Sequence, residues 1–307
     1  MKKFKIKIAI LVMAAMFITV QSCKKDEKEA ENTDQNDDSA TQSQQSSDES
    51  IQTNESEFAM TDVNNVIENS SYGKAFVIVG ASIDSVCVDK KMIITYNGNN
   101  ADASRSRSGQ IIIQLTKGNM WRDKDAEITV TFIGYKVIRN SNGKSMGFNG
   151  TYTVTNTQGG LIKLLIPNGT VSQKINGTMN ISFDDGTQRS WYITRQRNIG
   201  LTITGDKYVI LTGYGSNDSS NNISVSGVNR AGIAFYSSII APIIYSSSCN
   251  WLPISGSVSH NGIVKEIKVV FGVNEAGNAV VAPNCPYGYK ISWTNILNIN
   301  KQLVIKY

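Results

Sequence analysis

The chain has 307 residues, a single histidine and four cysteines with no C-x-x-C pair, which leaves no ligand set for a zinc module. Its formal net charge of +5 comes without any nucleic-acid-binding signature, so neither a metal, a cofactor nor a nucleic acid is expected as a partner. The total hides a division: residues 24–57 hold three lysines against eleven acids, a net −8, whereas the chain from Phe58 onward holds 23 basic against 14 acidic residues, a net +9.

Lys2, Lys3, Lys5 and Lys7 precede an apolar run over residues 8–20, and the small Ser22 stands directly before Cys23. That order is the secretory pattern, and the run is shorter than the about 20 apolar residues a membrane-spanning helix needs. Val20-Gln21-Ser22-Cys23 resembles the lipobox of bacterial lipoproteins, with Val in place of the commoner Leu and Gln at the next position. The resemblance implies a signal peptide over residues 1–22, cleavage before Cys23, lipid on the Cys23 sulfur and an anchor in outer-membrane lipid. Each buried CH₂ adds about 0.8 kcal/mol, so two acyl chains hold a protein stably. Lys24-Lys25-Asp26-Glu27 is similar to the surface-export signal of Bacteroidota lipoproteins, which implies the outer face of the outer membrane. A body facing the periplasm is the alternative.

Residues 23–57 are rich in Ser, Gln, Asp and Glu and nearly devoid of large apolar side chains. Such a segment buries too little surface to offset its chain entropy, so a disordered acidic tether is expected there. Asp38-Ser39-Ala40 and Asp84-Ser85-Val86 resemble the O-glycosylation triplets of the same phylum, which makes Ser39 and Ser85 candidate acceptors.

The body reads as all β. Residues 111–115, 127–132 and 265–270 are rich in β-branched side chains, and the last two alternate polar with apolar residues as half-buried strands do. Asn97-Gly98, Asn142-Gly143, Asn168-Gly169, Asn176-Gly177, Asp185-Gly186 and Asn261-Gly262 are read as hairpin turns. Asn149-Gly150-Thr151, Asn176-Gly177-Thr178 and Ser255-Gly256-Ser257 form a loose echo in which each is expected to open a strand. The best helical candidate is the short Met60–Asn69 stretch. The expected architecture is an antiparallel β-sandwich or an extended meander of hairpins behind the tether. It divides into β domains at 58–205 and 206–307 or runs as one continuous domain over 58–307, since about 250 residues serve either arrangement.

An exported chain permits disulfides. Cys249 and Cys285 lie 36 positions apart in a strand-rich segment and are expected to pair, which leaves Cys87 unpaired and buried between Val86 and Val88. Arg105-Ser106-Arg107-Ser108-Gly109-Gln110-Ile111, Asp184-Asp185-Gly186-Thr187 leading to Trp191 and Arg195, and Cys249-Asn250-Trp251-Leu252-Pro253 together resemble a family of uncharacterised Bacteroidota lipoproteins. In place of that family's D-[FY]-G-x-G-x-C-D block the chain has Val269-Val270-Phe271-Gly272 and a longer stretch before Cys285. The resemblance implies an all-β lipoprotein and no particular activity.

No catalytic set emerges. His260, before Asn261-Gly262, is expected at a flexible hairpin tip, which suits a Ser-His-Asp triad poorly. Asp184-Asp185 reads better as a capped turn than as half of a glycosidase pair. The tryptophans and tyrosines read mainly as core, with Trp191-Tyr192 the candidate ligand platform because neighbouring strand residues face opposite ways. The basic body is expected to present a solubilising surface partly neutralised by its own tail, with an anionic glycan or an envelope protein as possible partner. The resulting expectation is a non-enzymatic, lipid-anchored envelope lipoprotein with a binding or structural role. The alternative is a surface protein that binds or hydrolyses glycans.

Overall fold

The computed structural model describes residues 33–70, 76–86, 90–262, 266–294 and 298–307, and the side chains of these except 33–43, Ser70 and Val86. Among the described residues one long helix, α1 (Thr33–Ser70), is followed by strands and two short 3₁₀ turns. The strands are β1 (Ala81–Val86), β2 (Lys91–Asn99), β3 (Arg105–Lys117), β4 (Ala126–Arg139), β5 (Ser145–Asn156), β6 (Thr170–Phe183), β7 (Gln188–Leu201), β8 (Lys207–Gly213), β9 (Gly215–Asn217), β10 (Ser220–Val228), β11 (Ala234–Ser246), β12 (Leu252–Asn261), β13 (Ile267–Val273), β14 (Gly288–Thr294) and β15 (Asn300–Lys306).

The sheet is a meander in which each strand pairs antiparallel with its sequence neighbour, apart from one lane between β7 and β11. Two half-strands fill that lane end to end. β8 pairs with Arg195–Leu201 of β7 and with Ile243–Ser246 of β11, while β10 pairs with Ser190–Ile193 and with the start of β11. Of the two arrangements expected from sequence, the topology is therefore the meander. Gly205 lies in the turn between β7 and β8, which pair with each other within this sheet.

Alternation decides which residues enter the core. On β4, Ile128, Val130 and Phe132 are buried while Glu127, Thr129 and Thr131 are half-buried on the other face. The inner face of β2 to β7 packs on the second half of α1, where Ala59, Met60, Val63, Val66 and Ile67 are buried among Ile94, Ile111, Tyr135, Tyr152 and Trp191. Gly150 and Gly177 lie on neighbouring strands at φ +155° and +150°. A Cβ on Gly150 would stand 2.2 Å from Thr178 O, and one on Gly177 2.1 Å from Thr151 O, so only glycine lets the two backbones approach here.

This corrects the reading of Asn176-Gly177 and Asn149-Gly150, which lie inside β6 and β5 rather than at a turn or a strand start. Asn97-Gly98 likewise lies inside β2. Asn142-Gly143 and Asp185-Gly186 do join strands.

The largest correction concerns the tether. Residues 44–57, assigned to it, are helical, and Gln45, Ser46, Asp48, Glu49, Gln52, Thr53, Glu55 and Ser56 are all buried. The helix is also far longer than the Met60–Asn69 candidate. Its first half lacks an apolar stripe, so its docking rests on other forces.

Candidate functional site: an arginine-lined cradle and its groove

α1 carries nine acids and no basic residue. The sheet meets it with six arginines. Arg189 places Nη2 2.8 Å from Glu49 Oε2, and Arg195 places Nη2 3.6 Å from Glu49 Oε1 and 3.0 Å from Thr53 Oγ1. Arg105 donates to Glu55 at 2.7 Å, Arg197 to Glu57 at 2.9 Å and Arg107 to Asp62 at 2.6 Å. Arg230 holds both oxygens of Asp48, at 2.7 and 2.6 Å, in the bidentate form that suits guanidinium best. These pairs join residues 45 to 182 positions apart.

Strand alternation aims the arginines. Arg189, Trp191, Ile193, Arg195, Arg197 and Ile199 share the inward face of β7, and Arg107 is in phase with Ile111 and Ile113 through a bulge near Gly109. Aromatic rings of the sheet support them: Arg189 lies over Phe235 at 4.6 Å, Arg195 over Trp191 at 5.0 Å and Arg230 over Phe183 at 3.3 Å. These six arginines therefore face the helix rather than contributing to the solubilising surface expected of the basic body.

Burial perturbs the acids. Desolvation raises Asp48 and outweighs Arg230, and desolvation raises Asp62 against the attraction of Arg107 and a hydrogen bond from Tyr96. Glu68 is also raised by desolvation, although its carboxylate accepts the backbone N–H groups of Ile162 and Lys163 at 2.8 and 2.9 Å. His260 is buried on β12, with Nδ1 2.7 Å from Ser237 Oγ, and desolvation lowers it to about 4. It thus remains neutral, and the exposed-tip expectation for it is corrected.

Beside the first half of α1 runs a groove of about 930 Å³. Ser47, Ser50 and Asn54 of the helix form one wall, Arg139 and Lys144 a second, and Tyr289, Tyr307 and Lys306 a third. Asp184 and Asp185 stand on the exposed β6–β7 turn at its end. Asp185 accepts from the N–H and hydroxyl of Thr187, which lowers its pKa, and from Arg230 at 2.9 Å. The turn reading of this pair therefore holds. Asp48 and Asp185 both spend themselves on Arg230 rather than presenting a free acid and base to the groove. Arg139, Lys144 and Lys306 have no ion pair among the described residues, against one acid of the groove in the same condition, Asp184, so positive charge is in excess there.

Of the remaining sequence candidates, Cys249 and Cys285 form a disulfide. Cys23 and Cys87 lie outside the described residues, and the Ser39 side chain does too. Ser85 is exposed on β1. Trp191 is fully buried and Tyr192 is 46 % exposed, so the pair forms no two-ring platform. Among the described residues no three His, Cys, Asp or Glu side chains converge as a metal site would need. Comparison with known protein families, curated proteins and solved structures finds no match for the chain.

Proposed function

We propose that this protein is a lipid-anchored lipoprotein of the bacterial envelope, displayed on the outer membrane, with a non-enzymatic binding role. The observation that carries the binding role is the groove beside α1, which is lined by Arg139, Lys144 and Lys306, none of them in an ion pair among the described residues, together with Tyr289 and Tyr307, and where Lys306 lies over the ring of Tyr287 at 5.6 Å. Cations beside tyrosine rings suit an anionic glycan or an acidic patch on an envelope protein. The leader and Cys23 support the anchor, and the Cys249–Cys285 disulfide suits an oxidising compartment. Between Cys23 and Thr33 there are ten residue steps, which reach at most about 35 Å when extended. The anchor would thus hold the cradle close to the lipid surface through α1.

The test is mass spectrometry of the N-terminal peptide from membranes, paired with protease shaving of intact cells. Acyl chains on Cys23 and loss of the body to protease are the expected result. Acyl chains with a fully protected body would place it in the periplasm, and an unmodified N-terminus would overturn the anchor.

A further inference from the structure

A second cavity lies further along α1, beyond Asn54, which lines both it and the groove. It measures about 160 Å³ and is walled by Phe58 of α1, Ile199 of β7, Val209 of β8, Tyr245 of β11 and Trp251. A cavity of about 150 Å³ with apolar walls holds one benzene-sized ring.

Trp251 reaches it through an unusual backbone. Asn250 and Trp251 both have positive φ, +55° and +59°, a conformation that bulky side chains rarely adopt and that tends to persist at functional sites. Two backbone hydrogen bonds fix it, from Asn250 N–H to Ser247 O and from Trp251 N–H to Ser246 O. The Cys249–Cys285 bridge ties down the preceding residue. Trp251 remains 36 % exposed, whereas Trp121, Trp191 and Trp293 are buried.

The charges at the rim are nearly all committed. Arg197 holds Glu57, Glu68 accepts two backbone N–H groups, and Lys163 donates to Glu68 O. Lys207 is left, exposed and without a hydrogen bond or ion pair from its ammonium among the described residues. Lys207 also attracts the Glu68 carboxylate, but the lining holds three cations, Lys163, Arg197 and Lys207, against two acids, Glu57 and Glu68, so the cavity offers one ring-sized apolar space, one exposed indole and one cation in excess.

We propose that this pocket binds a single six-membered ring bearing a carboxylate, with the ring against Trp251 and the carboxylate on Lys207. The assignment goes beyond the binding role proposed above, because it concerns a cavity separate from that groove. It does not depend on the lipid anchor.

Acrylamide quenching of tryptophan fluorescence on the full chain tests it, because Trp251 is the accessible indole. The probes are D-glucuronate and benzoate, with D-glucose and benzamide as uncharged counterparts. Saturable shielding of Trp251 by one of the acids is expected, and which acid succeeds tells a sugar source from an aromatic one. Lys207→Gln should weaken that acid roughly tenfold, as loss of one charge-assisted hydrogen bond does. Trp251→Leu lacks the reporting indole, so it is read by isothermal titration calorimetry with the same acid: weaker binding than in the unchanged chain is expected, with an unchanged far-ultraviolet circular dichroism, and equal binding would overturn the role of the indole. Shielding by neither acid, equal shielding by the uncharged counterpart, or unchanged affinity in Lys207→Gln would overturn the assignment. Lipid on Cys23 together with failure here would leave the anchor standing and remove this ligand site alone.

Discussion

Glu49→Gln should be among the most damaging single substitutions in the helix. Glu49 is 8 % exposed, and the two guanidiniums that face it, on Arg189 and Arg195, are 0 % and 4 % exposed. Nε and Nη1 of both arginines already lack hydrogen-bond partners. The amide would keep the shape and remove the one carboxylate that both arginines pair with, leaving Arg189 only the more distant attraction of Asp48, which Arg230 already holds. Breaking a buried pair from one side costs about 3–5 kcal/mol, because the remaining ion stays desolvated. The matched control is Glu266→Gln, whose partner Lys268 lies 3.8 Å away with both side chains well exposed. Such a surface pair contributes about 0–1 kcal/mol. Urea titrations of both variants, with the disulfide intact and fitted to a common slope, measure the difference. A Glu49→Gln loss no larger than that of Glu266→Gln would mean that water screens the pair, and the buried-latch reasoning would fail.

Three further outcomes follow from the same geometry. His260 is lowered from 6.5 to about 4, so its contribution is complete above pH 6.5 and is lost as pH falls toward 4, by about 3 kcal/mol in all. Asp48, Asp62 and Glu68 act in the opposite sense, since raised folded-state values cost stability as pH rises past the unfolded carboxylate range. His260→Asn should therefore flatten the loss between pH 6.5 and 4 in urea titrations, and an unchanged slope would contradict the burial of the ring. Cys249→Ser opens a loop of 36 residues and should cost about 3–4 kcal/mol on chain-entropy grounds, read as a lower urea midpoint. Met60→Ala removes a side chain that is 1 % exposed in the main core and should cost about 2–5 kcal/mol, read as a drop in melting temperature.

The strands were legible because their cause is local. β4 alternates residue by residue, and β-branched side chains mark β3. The disulfide was legible from the spacing of Cys249 and Cys285 together with the expectation of an exported chain. The helix was not, because its burial follows charge rather than hydrophobicity. Ser46, Glu49, Gln52, Thr53 and Ser56 make an inward stripe that no hydropathy pattern can reveal, and their partners lie on strands far downstream. Two signals did exist. One is the opposition of −8 and +9 along the chain. The other is the phase of the arginines, since Arg189, Arg195 and Arg197 fall on the same alternate positions as Trp191, Ile193 and Ile199. An arginine in step with buried residues points at a buried acid, and the longest acidic run in this chain is its own. The asparagine–glycine pairs misled for a related reason: glycine serves a hairpin turn and a close strand approach equally well, and only the partner strand tells them apart.

The central claim is that residues 44–57, the part of the acidic segment nearest Phe58, belong to the folded interior. Hydrogen exchange of the intact chain, followed by mass spectrometry of peptides covering residues 44–57, tests it most directly. The account predicts that their amides exchange as slowly as those of β4 and β7. Exchange at the rate of an unstructured chain, with the strands still protected, would contradict it.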